Sequence, residues 1–124
     1  MRVHVTIWGY CILPAFSVFT LAASDLRLVD AAKDKDTQAV RRLLQQHVPV
    51  DAPQADGATA LQWAAHWDDL ETADLLIRAG ANVNAKNDNA VTALWLACSN
   101  GNAAMVEKLL KADKGGANED VLFR

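Results

Sequence analysis

The sequence predicts an all-α protein, a solenoid of about three helix-turn-helix repeats, from two observations. The first is a pair of short amphipathic helical patterns within residues 56–85, in which apolar residues recur three and four positions apart. The second is that similar patterns occur 33 residues away on either side. Because neither helix of such a pair can bury its apolar face alone, the pairs are expected to stack. The apolar positions of the central pair are Leu61, Ala64 and Ala65, followed by Leu70, Ala73, Leu76 and Ile77.

Identical residues mark the 33-residue period in both directions. A forward shift aligns Thr59, Ala60, Leu61, Ala64, Leu76 and Ala79 with Thr92, Ala93, Leu94, Ala97, Leu109 and Ala112. A backward shift aligns Leu61, Ala64, Ala65 and Leu76 with Leu28, Ala31, Ala32 and Leu43. The chain is therefore expected to repeat one supersecondary unit.

The repeated unit resembles the ankyrin repeat. The family's T-P-L-H-x-A signature corresponds to TALQWA at Thr59–Ala64 and to TALWLA at Thr92–Ala97. Residues Leu75–Ala85 resemble the family's second helix and the hairpin that follows it, and the resemblance covers roughly residues 26–118. It implies hairpin fingers between the helix pairs and a protein-binding function.

We divide the chain on this basis into a leader at 1–23, repeats at 24–56, 57–89 and 90–118, and a divergent tail at 119–124. In the tail region, Gly116-Ala-Asn118 follows Ala112 three residues later than the equivalent Gly80-Ala-Asn82 follows Ala79. We interpret the chain as a fragment of a longer array, and a short divergent terminus is the alternative.

The leader pattern predicts an exported protein, and its combination with the ankyrin resemblance implies a bacterial type, because the family's familiar members are cytosolic. Residues 1–23 carry one basic residue, Arg2, and an apolar run that ends in the small residues Ala22 and Ala23. This is typical of a cleaved secretory signal peptide and predicts a mature N-terminus near Ser24, in the periplasm or secreted medium. The alternative is an uncleaved anchor in the inner membrane, which is the one way in which a membrane would be a partner.

Charge and cysteine content exclude several other functions. The chain has a net charge of −3, which becomes −4 when the leader and its single arginine are removed. No basic stripe is available for phosphates, so nucleic acid is not expected as a partner. Cys98 is the only cysteine outside the leader, and its repeat position, equivalent to Ala65, predicts a small core residue.

The sequence also predicts several helix caps and turns. Asp36, Asp69 and Asn102 recur at 33-residue spacing as helix N-caps, and the hydroxyl of Thr59 is expected to cap its own helix. A capping-box variant is predicted between Asp68 and Glu71, which lie three residues apart. Gly80 is expected to leave a helix with positive φ. Ala90 occupies the finger position equivalent to Gly57, so a looser finger is expected before the third repeat.

Catalytic machinery is not expected. His47, His66 and Cys98 occupy unrelated repeat positions, and stacking does not bring unlike positions together. The sequence contains no glycine-rich phosphate loop and no motif around a candidate nucleophile. We therefore predict no catalytic residue, no cofactor, no metal and no small-molecule substrate.

Binding to another protein is the remaining function. We expect the chain to be a monomer. The family's variable contact positions fall on Ala55, Asp56, Ala58, His66 and Trp67, and on Asp88, Asn89, Val91, Ser99 and Asn100. Trp67 is either a binding anchor or a ring lying over the neighbouring helix. Trp63 and Trp95 are predicted to pack in the core. The alternative function is a docking segment of a larger exported or membrane-anchored protein whose other part is active.

Overall fold

Within residues 25–122, six helices form three helix-turn-helix pairs, as the sequence predicts. A computed structural model describes the backbone of residues 25–122 and the side chains of residues 25–114; the predicted leader lies outside these residues. Within this part of the chain the structure is all-helical and has no strand. The pairs are α1 (Arg27–Lys33) with α2 (Thr37–Gln45), α3 (Ala60–His66) with α4 (Leu70–Arg78), and α5 (Ala93–Asn100) with α6 (Ala103–Leu122).

The pairs stack into two rows. The first helices α1, α3 and α5 pack in one row, and the second helices α2, α4 and α6 pack in the other. Small residues at the repeated positions, such as Ala32 and Ala65, are fully buried and allow the first helices to approach closely. Leu28, Leu61 and Leu76 fill the space between the rows. None of the helices in residues 25–122 is long and apolar enough to cross a membrane.

The three predicted caps of the second helices are confirmed. Side-chain oxygens of Asp36, Asp69 and Asn102 accept hydrogen bonds from the backbone N–H groups three residues ahead, at 2.9, 3.1 and 3.1 Å. Each bond satisfies a donor that the helix leaves without an internal partner. The spacing of these caps fixes where every second helix begins.

The predictions for Thr59 and Asp68 are wrong in part. Thr59 is the N-cap of α3 as expected and forms a capping box with Gln62, whose Oε1 accepts from Thr59 N at 3.2 Å, but its buried hydroxyl makes no regular hydrogen bond. Asp68 does not cap α4 because Asp69 holds that position. Asp68 has a φ of 57° and accepts a hydrogen bond from Asn100 of the next repeat.

Left-handed residues recur with the same period as the sequence. Gly80 has a φ of 96°, which confirms the predicted helix exit, and His47 takes the same conformation one repeat earlier. The turns within the pairs and the tips of the fingers repeat in the same way: Lys35, Asp68 and Gly101 in the turns, and Gly57 and Ala90 in the fingers. The backbone therefore keeps the repeat even where glycine is absent.

The finger before the third repeat is not looser than the one before it. In both fingers the residue at the turn exit donates to a carbonyl three residues earlier, Gly57 to Gln54 and Ala90 to Asn87, each at 2.9 Å. Asn87 Oδ1 also accepts from the backbone of Asn89 and Val91 at 3.0 and 2.9 Å. These bonds hold Ala90 at a φ of 62° despite its Cβ.

Ala90→Gly is therefore expected to stabilise the protein by about 0.5–1 kcal/mol, because it removes left-handed strain that exceeds the added chain entropy. A thermal melt should show a midpoint a few degrees higher. The matched reversal, Gly57→Ala, should lower it, because a Cβ there would lie 3.1 Å from Asn87 Cα. A lower melting midpoint for Ala90→Gly would contradict the backbone strain inferred at Ala90.

Helix α6 continues through the three-residue offset near the C-terminus. The position equivalent to Gly80 is Asp113, and the chain does not leave the helix there. Gly115 and Gly116 lie within α6, which runs to Leu122. The departure from the repeat pattern is therefore a longer second helix in the third repeat.

Candidate protein-interaction surface

A cleft opens between the fingers and the first helices of the second and third repeats. Its volume is about 240 Å³. Four of the predicted contact residues line it, together with three large apolar side chains that the prediction assigned elsewhere or omitted. The predicted four are Asp56, Ala58, His66 and Val91, and the additional three are Trp63, Trp95 and Leu96. We call this the inter-finger cleft.

Trp63 and Trp95 lie in the cleft with different exposures. Trp63 is half-buried against the core, and its indole Nε1 donates to Gln54 Oε1 at 3.0 Å. The prediction that Trp95 packs in the core is wrong, because its side chain is 58% exposed. At the equivalent position, Gln62 is buried by the finger ahead of it, donating to the carbonyls of Ala85 and Val91 at 2.8 and 3.1 Å. Within residues 25–114 no such finger follows the third repeat, so Trp95 remains open.

Cys98 is exposed for the same reason, and its prediction as a core residue is also wrong. The equivalent Ala65 is covered by the next first helix, whereas no further first helix lies against α5 in the part of the chain that the structure describes. The repeat position of a residue therefore sets its burial only when the next repeat is in place.

Trp67 is both exposed to solvent and bonded to the first helix of the preceding repeat. Its residue is 42% exposed, yet the indole Nε1 donates to the carbonyl of Lys33 at 3.0 Å, at the end of α1. The centre of its ring lies 4.7 Å from the centre of the His66 ring and 6.4 Å from that of the Trp63 ring. The ammonium group of Lys35 lies 5.1 Å from the centre of the Trp67 ring. Trp67 thus holds two repeats together while leaving one surface open.

Asn100 makes the same inter-repeat contact one period later. Its Nδ2 lies within hydrogen-bond distance of the carbonyls of Ala65 and His66, at 3.1 and 3.0 Å, and of Asp68 Oδ1 at 3.1 Å. Like Trp67, it therefore supplies a donor to the carbonyl end of the preceding first helix. The sequence signal for this role is a side-chain donor at positions 33 residues apart, which the contact-position mapping did not use.

The predicted contact residues differ in how much surface they offer to a partner. Asp88, Asn89 and Ser99 are exposed, and Val91 is half-buried. Ala58 is only 7% exposed, so its side chain offers little surface to a partner. The backbone N–H of Asp88 donates to the carbonyl of Asp56 at 2.9 Å, which ties the two fingers together.

Asp56 gives the cleft its negative charge. The pKa of its carboxyl lies below the ordinary value, chiefly because it accepts from the backbone N–H of Ala58 and is also hydrogen-bonded by the Gln54 side chain. The bond to Ala58 measures 3.0 Å. Lys33 contributes at longer range while its ammonium group sits 5.5 Å from the centre of the Trp63 ring.

A second recess lies on the opposite side, between the second helices α4 and α6. Its volume is about 610 Å³, and its apolar floor includes Leu70 and Ile77. Lys108 bridges the helices by pairing with Asp74 at 3.0 Å. The sequence pattern does not predict this recess, because it is lined by residues of two helices that are distant along the chain.

The chemistry available is that of recognition. Among the residues that the structure describes, no group of three or more histidine, cysteine or acidic side chains could hold a metal ion. The inter-finger cleft instead offers flat aromatic surface and one carboxylate. These are the features of protein-binding surfaces.

The stacked helix pairs and their projecting turns define a helical repeat protein whose candidate site is a surface for binding another protein. The chain belongs to the ankyrin-repeat family, because the sequence profile described as "Ankyrin repeats (3 copies)" matches residues 28–121. The ankyrin-repeat domain is a non-catalytic interaction fold. This confirms the resemblance and the predicted fold class.

Similar proteins share this repeat region but are longer. The probable E3 ubiquitin-protein ligase XBOS32 of Oryza sativa subsp. japonica is 34% identical over 94 residues, which are 74% of this chain and 19% of that protein. Protein phosphatase 1 regulatory subunit 27 of Mus musculus is 29% identical over 100 residues, 78% of this chain and 65% of that protein. Ankyrin repeat and KH domain-containing protein mask-1 of Caenorhabditis elegans is 39% identical over 85 residues, 68% of this chain and 3% of that protein. The chain therefore spans less than two thirds of each of these relatives.

Proposed function

We propose that this protein is an exported ankyrin-repeat module that binds a protein partner through the inter-finger cleft, with no catalytic activity of its own. The exposed Trp95 in the cleft is the observation that carries the proposal. A rigid aromatic surface of this kind contributes strongly to binding when a partner excludes water from it. Trp67 at the end of α3 and Ser99 on α5 are also exposed on the row of first helices.

A protein partner fits this surface better than the alternatives. Nucleic acid would require a basic face, whereas the cleft carries a carboxylate and the whole chain has a net charge of −3. Small-molecule sites are usually more enclosed, and this cleft opens along a groove between two fingers. The protein is proposed to act as a monomer that presents the cleft.

Photo-crosslinking tests the binding face. A photoreactive residue at Ser99, four positions after Trp95, should form a discrete adduct with a partner in extracts of the producing cell. The matched control is Gln38, which is exposed on α2 of the other row. The Trp95→Ala variant should weaken the Ser99 adduct, because it removes the proposed anchor. Equal labelling at Ser99 and Gln38 would contradict a binding surface at the cleft.

Export is supported by the leader pattern at 1–23 alone. We expect the mature protein to begin at or near Ser24, because the apolar run ends there in small residues. N-terminal sequencing of the natural product measures this directly. A protein that retains Met1 would favour the inner-membrane anchor.

The second candidate function is a docking segment of a larger protein whose other part is active. The lengths of the relatives favour it, since this chain matches 19% of the rice protein and 3% of the nematode protein. The intact mass of the natural gene product separates the two candidates. A mass above that of the 124-residue chain supports the docking segment.

A further inference from the structure

The inter-finger cleft combines an open indole with a carboxylate, and this pairing points to a particular class of partner. We propose that the cleft binds a lysine or arginine side chain from a basic segment of the partner, with the cation over the Trp95 ring and near the Asp56 carboxylate. The proposal rests on the proposed function and names the chemistry that the partner must present.

Three other polar side chains of the cleft are hydrogen-bonded within the protein, and the ring of His66 packs edge-on against Trp63 and Trp67. Gln62 donates to two carbonyls and accepts from Thr59, and Asn87 Oδ1 accepts from two backbone N–H groups. The indole N–H of Trp63 is held by Gln54. These groups maintain the shape of the cleft. The Trp95 ring and the Asp56 carboxylate are therefore the groups that contact a partner.

The charge around the cleft is complementary to a cation. Asp56 is the only acidic residue in the lining, and neither lysine nor arginine is part of it. Its carboxylate uses Oδ1 to accept from Ala58, and the exposed Asp88 lies beside it on the adjoining finger. A cation that entered the cleft would meet the Asp56 carboxylate beside apolar and aromatic surface.

The protein already places cations on its own tryptophan rings in this region. Lys33 lies 5.5 Å from the centre of Trp63, and Lys35 lies 5.1 Å from the centre of Trp67. Among the described residues no such partner covers Trp95, although it is the most exposed of the three. Leu96 and Val91 beside it offer apolar surface for the alkyl stem of a lysine or arginine. An apolar partner side chain would gain from that surface but would leave the Asp56 carboxylate with only Lys33 at longer range.

Selection from a library of displayed random short peptides on the full chain tests the proposal. Peptides that bind the cleft should share a lysine or arginine at one position, and their binding should weaken as salt is added. Trp95→Leu should reduce the affinity of a selected peptide about tenfold, and Trp95→Phe should retain most of it, because the ring quadrupole and not apolar area attracts the cation. Asp56→Asn, which keeps the acceptor for Ala58, should reduce affinity and remove most of the salt dependence.

The control variant is Leu110→Ala, which truncates an exposed apolar side chain on α6. It should leave the affinity unchanged, and circular dichroism of every variant should match the parent protein. Selected peptides that need Trp95 but carry apolar or acidic residues in place of the cation would overturn this inference and leave the proposed function standing. Selected peptides that bind equally well to Trp95→Leu, or a selection that yields none, would overturn both.

Discussion

Replacing Leu76 by alanine is expected to lower the free energy of unfolding by about 2–5 kcal/mol, the usual range for a buried leucine. Leu76 lies on α4 in the middle repeat and is 0% exposed. Helix α4 packs against α2 on one side and α6 on the other, so the cavity would open at the centre of the stack. The neighbouring helices cannot close it without disturbing both inter-repeat contacts.

Such a loss is large for a stack of this size, because small domains are stabilised by only about 5–15 kcal/mol in total. Urea denaturation followed by circular dichroism measures it, with Leu110→Ala as the matched control. Leu110 is 43% exposed, so its truncation should change the free energy of unfolding by about 0.5 kcal/mol or less. Equal midpoints for Leu76→Ala and the parent protein would refute a shared core between the repeats.

Replacing Trp67 by alanine is expected to destabilise the stack by about 2 kcal/mol, the combined scale of one hydrogen bond, one exposed cation–π contact and two aromatic contacts. This differs from the expectation for a pure binding anchor, whose removal leaves folding intact. The reason is the bond from the indole N–H to Lys33, together with Lys35 on the ring and His66 against it. A thermal melt of the variant should therefore move to a lower midpoint.

Trp67→Phe separates the two roles of this residue. It keeps an aromatic ring for Lys35 and His66 but removes the donor to Lys33, so about 1 kcal/mol should be lost. Affinity for the partner captured at Ser99 should fall further in Trp67→Ala than in Trp67→Phe if the ring also contacts the partner. An unchanged melting point in both variants would contradict the inter-repeat role, and an unchanged affinity in both would leave Trp67 as packing alone.

Much of the candidate site followed from the repeat register once the period was known. The register placed Asp56, His66 and Val91 in one region, and the structure brings them to one cleft. It did not place Trp95 there, because the pattern treats every copy of a position as equally covered. The burial of Gln62 depends on the finger ahead of it, and Trp95 has no such finger among the described residues. A position at the open side of a stack takes its environment from what lies next to it.

The sequence by itself determined the periodic features: the helix pairs, the caps at Asp36, Asp69 and Asn102, and the exit at Gly80. These depend on interactions within a few residues, so equal spacing in the chain gives equal geometry in the fold. Only the tertiary structure decided which side chains stay open and which reach across repeats. The contacts of Trp67 and Asn100 join residues more than 30 positions apart. The exposure of Trp95 and Cys98 arises because no further repeat covers them within the described stack. Local pattern cannot encode such contacts, because burial is set by the surfaces that meet in space.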